Sequence, residues 1–186
     1  MVAFPARASR GAPTLCHLIE KEISVMKKAC ESAANHTGVV TLLSVGLIEE
    51  DHTSLEGILQ CSQCDLRPTC KWRLNACSTL ASALTALRKG RVPIVVCESD
   101  LRPGTWKEVL EELSALPDPP LLIVTSRFAD ERLWAEALNL GAYDVLAQPF
   151  DGSEVARIVS MAWLRWKDRH AIRGGVRREM ALASGI

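Results

Sequence analysis

Residues 121–150 read LLIVTSRFADERLWAEALNLGAYDVLAQPF, and this stretch decides the fold. Leu121-Leu122-Ile123-Val124 is a short apolar run ending in Thr125-Ser126, the pattern of a strand buried on both faces. Asp130 is a natural N-cap for a helix through Leu140, and Gly141 stops it. Tyr143–Ala147 is strand-like again, and Gln148-Pro149-Phe150 makes a turn. The unit is therefore strand, helix, strand.

The same rhythm extends in both directions. Upstream, Pro93–Cys97 is a β-branched strand, followed by a helix over Thr105–Leu116 that ends at Pro117-Asp118-Pro119-Pro120. Before it, Trp72–Ala76 is a short strand, and Ser78 caps a helix through Leu87 that closes at Gly90. Val39–Leu47 is a further strand. Glu49-Glu50-Asp51 then opens a helix to Leu59, with acids in the first turn where the macrodipole favours them. Downstream, Asp151 caps a last helix reaching about Asp168. Five strand–helix pairs predict an α/β fold: a five-stranded parallel sheet with helices on both faces. The flavodoxin-like order 2-1-3-4-5 suits five units and gathers functional groups beyond the carboxyl ends of the strands.

Flanking this unit, 1–13 reads as a flexible lead and 14–38 as an N-terminal helical extension. Cys16, Ile19, Ile23, Met26, Cys30 and Ala33 follow a heptad-like spacing of three and four, which makes a homodimer one of the expected states. The main domain spans 39–168, and 169–186 reads as a basic C-terminal tail. The 22 basic and 22 acidic residues cancel, so no whole-chain attraction to nucleic acid or an anionic membrane follows. Apolar windows such as Val39–Ile48 are too short to span a bilayer. Met1–Pro13 lacks the apolar run of a secretory signal, so the expected location is the cytoplasm.

The segments Leu121–Ser126, Ala137–Phe150 and Pro93–Gly104, falling in this order, resemble the response-regulator receiver family of bacterial two-component signalling. The resemblance covers residues 39–168. It is nearest to an atypical group with Glu-Glu-Asp-His after the first strand and Asp-Gly-Thr-Trp-like text after the third. A working receiver implies acids after the first strand that hold a divalent cation. It also implies an Asp nucleophile at the end of the third strand. A Thr or Ser after the fourth strand and a Lys after the fifth complete the set.

Against that pattern the chain departs at most positions. Counting back from Gly104 places Glu98 at the acceptor position, its carboxylate about 1.5 Å further out than that of an Asp. Aligning on Pro103 places Ser99 there, with Asp100 beside it. Gln148 stands for the Lys and brings no charge. Gly46 and Leu47 stand for the metal-binding acids; Glu49, Glu50 and Asp51 reach the pocket only with a shift of about three residues and otherwise form a solvated helical turn. Thr125 is kept. The pocket of Glu98, Asp100, Thr125, Gln148, Glu49 and Glu50 is thus expected to be degenerate. No cofactor, no catalytic residue and no enzymatic activity are expected; Mg2+ enters only if an active pocket uses Asp100.

The resemblance also implies an interaction face built from the fourth helix, fifth strand and fifth helix, here including Trp134, Ala137, Leu138, Tyr143 and Val145, with Trp134 alternatively in the core. Over 165–186, six Arg and Lys stand against Asp168 and Glu179, a net of plus four, more simply a solvated tail than a nucleic-acid contact. Cys61, Cys64, Cys70 and Cys77 bracket an insertion between the first helix and second strand. One Cys-x-x-Cys pair is a weak zinc or redox signal, beside the plainer reading of unrelated cysteines. The expected function is that of a stand-alone, non-catalytic pseudo-receiver acting through a protein partner or a second copy. Two alternatives stay open: phosphorylation on Asp100, and metal or redox sensing through the cysteines.

Overall fold

The computed structural model describes residues 38–65 and 70–183. The N-terminal lead, and the helical extension with its heptad stripe, lie outside the described residues. The elements are β1 (Gly38–Val45), α1 (Glu49–Asp65), β2 (Cys70–Cys77), α2 (Leu80–Lys89), β3 (Ile94–Glu98), α3 (Trp106–Ser114), β4 (Leu121–Ser126), α4 (Glu131–Leu140), β5 (Asp144–Ala147) and α5 (Gly152–Ala183). All strands pair in parallel, in the order β2-β1-β3-β4-β5.

Strand residues alternate between two cores, as the pleat requires. Leu43, Val45, Val95, Cys97, Leu122, Val124 and Val145 face α2, α3 and α4, where they meet Ala83, Trp106, Val109, Leu113 and Ala137. Leu42, Ile94, Val96, Ile123 and Leu146 face the other way, against Leu55 and Leu59 of α1 and Val155, Ile158, Val159 and Ala162 of α5. Covering on both faces is why the central strands are uninterrupted apolar runs.

The helix starts follow from local chemistry. Asp130 and Asp151 accept from the backbone N–H of Leu133 and Glu154, each at 2.8 Å, and Thr105 caps α3. At α2 the cap is Thr79, not Ser78. Thr79 is extended and its hydroxyl accepts from Ser82 N–H at 3.2 Å, while the Ser82 hydroxyl accepts from Thr79 N–H at 3.2 Å. Gly141 closes α4 in the left-handed conformation at φ 108°, a geometry that suits a residue without Cβ.

Two helices run further than expected. Helix α1 continues past Leu59 to Asp65 and takes in Cys61 and Cys64. Helix α5 does not stop near Asp168 but runs to Ala183, so 169–183 is helix rather than tail. Its middle is anchored at the base of the domain. Trp166 is buried against Arg91, whose guanidinium lies 4.5 Å from the ring centroid. Arg169 Nη2 donates to the Pro119 carbonyl at 2.6 Å, and His170 meets both the Trp166 carbonyl and Asp118.

Candidate functional site

The carboxyl ends of β1, β3, β4 and β5 bring four loops to one edge of the sheet. Strand β3 ends on Glu98, β4 on Thr125-Ser126, and Gln148 follows β5 directly. With Asp51 and His52 from the first turn of α1, these line a pocket that also touches Ser44, Gly46 and Phe150. The space left between them holds about one water-sized group.

Glu98 is half-buried, and its Oε2 accepts from the Leu47 backbone N–H at 3.1 Å. Gly46 makes this approach feasible. A Cβ on residue 46 would stand 3.3 Å from Glu98 Oε2 and 3.6 Å from His52 Cε1. The longer side chain of Glu98 therefore packs its carboxylate onto the bare backbone at Gly46. The bare backbone at Gly46 and the long side chain of Glu98 are spatially complementary.

Gln148 is 9 % exposed. Its Nε2 donates to Asp51 Oδ2 at 3.1 Å, and because a carboxylate only accepts, the orientation of the amide follows from this bond. Gln148 Oε1 is buried without a hydrogen-bond partner. Asp51 also faces Arg127 Nη2 at 3.5 Å; the Arg127 side chain is 57 % exposed, so this ion pair is well screened.

Of the acids opening α1, only Asp51 reaches the pocket. Glu49 and Glu50 are exposed and do not line it, because successive helical residues rotate by about 100° and the inward arc begins at position 51. Asp100 does not line it either. It lies exposed in the turn after β3, where Leu101 takes the buried position instead. Ser99 turns aside to donate its hydroxyl to Ser126 Oγ at 3.0 Å. Thr125 is buried at the pocket wall, as its strand-end position requires.

His52 forms the floor and is a functional position that sequence reasoning missed. It is buried, with Nδ1 2.8 Å from Ser44 Oγ and Nε2 3.3 Å from the Gly46 carbonyl oxygen. A carbonyl accepts only, so Nε2 donates to it, and in the tautomer carrying that single hydrogen Nδ1 accepts from the Ser44 hydroxyl. The available signal was its spacing: His52, Leu55 and Leu59 form one inward stripe of α1.

The cysteines divide. Cys70 and Cys77 sit at opposite ends of β2, seven residues or about 23 Å apart, too far for both to ligate one zinc ion. The four-cysteine centre is thereby excluded by strand geometry. Cys97 is buried in the core on the α2–α4 side of the sheet. Burial, and then the neighbouring Glu98 charge, push its thiol up to about 12, so it is a packing residue.

The expected interaction face is also divided. Val145 and Ala137 are fully buried, which removes both from any surface; a central β5 residue packs on α4 rather than facing solvent. Trp134 is half-buried against the same core, Tyr143 is half-buried on the opposite one, and Leu138 is exposed.

No family model matches the chain, and no curated protein does. Solved structures match in fold. The signal receiver domain of an HD domain-containing protein from Pseudomonas fluorescens superposes with a TM-score of 0.59 at 20 % identity, over 69 % of this chain and 98 % of that one. The beryllofluoride-activated NtrC4 receiver domain dimer gives 0.58 at 20 % identity, over 68 % and 98 %. The chemotaxis response regulator CheY4 of Vibrio cholerae gives 0.57 at 13 % identity, over 67 % and 98 %. At these identities the likeness is one of fold: the chain has the flavodoxin-like architecture of response-regulator receiver domains.

Proposed function

We propose that this receiver-fold chain is a pseudo-receiver of two-component-type signalling that acts in the cytoplasm by protein contact, without phosphoryl transfer. The observation that carries the reading is the state of the pocket's polar groups. The Glu98 carboxylate is engaged by the Leu47 amide over Gly46, and the Asp51 carboxylate is met by the uncharged Gln148 amide.

Phosphoryl transfer concentrates negative charge on the transferring group, and fixed cations must neutralise it. Here Gln148 can offer a hydrogen bond but no charge. Arg127, already paired with Asp51, is mostly solvated. Asp100 is exposed and does not line the pocket with Thr125 and Gln148, so the phosphoacceptor alternative has no supporting geometry at that residue. With chemistry removed, what remains for the scaffold to offer is a surface for a protein partner or a second copy. Among the described residues no helix is long and apolar enough to cross a membrane.

The test is incubation with acetyl phosphate and Mg2+ followed by intact-mass measurement. The unmodified mass is expected throughout. A stable added phosphoryl group, mapped to Glu98 or Asp100, would overturn the proposal.

A further inference from the structure

The pocket has one buried acceptor with nothing to accept. Gln148 Oε1 is enclosed in a side chain 9 % exposed, it lines the pocket, and it lacks a hydrogen-bond partner. Buried polar atoms in folded proteins are overwhelmingly paired, so an orphan of this kind points to an occupant. Beside it stand two carboxylates and the Thr125 hydroxyl: Asp51, whose ion pair with the 57 % exposed Arg127 side chain at 3.5 Å is well screened, and Glu98, met by the Leu47 backbone N–H.

A fitting occupant is water-sized, donates several hydrogen bonds and carries positive charge. A primary ammonium does all three. A divalent cation needs a shell of closely placed oxygens. Among the described residues no three His, Cys, Asp or Glu side chains converge as a ligand set.

The rim adds a second feature. The two loops carrying Gly46 and Arg127 also carry Leu47, 51 % exposed, and Phe128, 82 % exposed. An exposed aromatic beside a polar pocket is the composition of a binding hot spot.

We propose that the pocket receives the ε-ammonium of a lysine presented by a partner protein, with Gln148 Oε1, Asp51 and Glu98 as its acceptors and an apolar neighbour of that lysine packed on Leu47 and Phe128. The proposal rests on the contact reading above and gives that contact a chemistry.

The test uses the full chain and four probes: methylammonium chloride, tetramethylammonium chloride at matched ionic strength, the blocked peptide acetyl-Leu-Lys-amide, and its norleucine counterpart. The readouts are the Gln148 side-chain amide resonances and the melting temperature. Methylammonium and the lysine peptide are expected to shift both saturably, and tetramethylammonium and the norleucine peptide to shift neither. The lysine peptide is expected to bind about tenfold more tightly than methylammonium, from one added apolar contact. Phe128→Ser should abolish that tenfold advantage and leave the methylammonium response intact. Asp51→Asn and Gln148→Leu should each weaken both ligands, and Asp51→Asn, being isosteric, decides the matter if Gln148→Leu folds poorly.

A response equal in tetramethylammonium, a response surviving both pocket variants, or no response at all (a bound water only) would overturn the ammonium site. Equal affinity for peptide and methylammonium would overturn the protein partner as its source. None of these probes is a phosphoryl donor or a metal, so failure here is distinct from failure of the contact reading, which the mass measurement judges.

Discussion

His52→Ala is the substitution that most directly probes how the pocket is built. The ring is buried beneath the site, bonded to the Ser44 hydroxyl at 2.8 Å and more weakly to the Gly46 carbonyl at 3.3 Å. Truncation leaves the buried Ser44 hydroxyl without its acceptor, at about 1–2 kcal/mol. The emptied ring volume costs a further ~1–2 kcal/mol, since a close-packed interior relaxes only partly. The long Gly46 contact adds a few tenths of a kcal/mol at most. The expected destabilisation is therefore about 3 kcal/mol. Ser44→Ala alone should cost about 1 kcal/mol, through loss of the donor to Nδ1. Because the two side chains share one bond, the double variant should be less destabilised than the sum of the singles by about 1 kcal/mol. Urea unfolding followed by circular dichroism measures all three. A His52→Ala cost under about 1 kcal/mol, or strict additivity with Ser44→Ala, would refute the floor as drawn.

Other consequences are cheaper to check. Iodoacetamide under mildly alkaline conditions should label exposed Cys61 in the native chain and spare Cys97 until unfolding; native labelling of Cys97 at a similar rate would contradict its burial. Asp144 has its carboxyl raised by burial, outweighing the Val145 N–H bond and Arg157. Its folded form thus favours the proton, and the associated stability is present at low pH and lost as pH rises through the raised value. Asp144→Asn should accordingly raise the melting temperature at neutral pH but not in acid; equal effects at both would be inconsistent with this sign. Thr79→Ala should destabilise the domain by about 1 kcal/mol, and Ser78→Ala by much less, in denaturant titrations. The reverse order would restore Ser78 as the cap of α2.

Much of the architecture was legible because each strand carries its own boundary signals. Ile94-Val95-Val96 and Leu121-Leu122-Ile123-Val124 are too apolar for a half-exposed sheet, and Asp130, Gly141 and Asp151 punctuate the helices where the structure places their ends. Errors arose where a signal was local but its outcome depended on packing. Ser78 and Thr79 are both good caps, and only the bond to Ser82 separates them. The last helix was expected to reach about Asp168, yet the backbone stays helical to Ala183. In the site, Glu98, Thr125 and Gln148 were readable from strand ends. Asp51 and His52 were not, because choosing among Glu49, Glu50, Asp51 and His52 requires the rotation of α1 about its axis. That rotation is set by Leu55 and Leu59 packing on the sheet. The compensation between Gly46 and Glu98 was also invisible in one dimension, since the two residues are 52 positions apart.

The central claim, that this pocket no longer accepts a phosphoryl group, is tested most directly by titrating the chain with beryllofluoride and Mg2+ while recording amide spectra. The resonances of Leu47, Glu98, Thr125 and Gln148 are expected to stay where they are at saturating reagent. A second set of peaks at those four residues, growing in with the reagent, would mean that a tetrahedral phosphoryl mimic seats beside Glu98 and that the contact-only account is wrong.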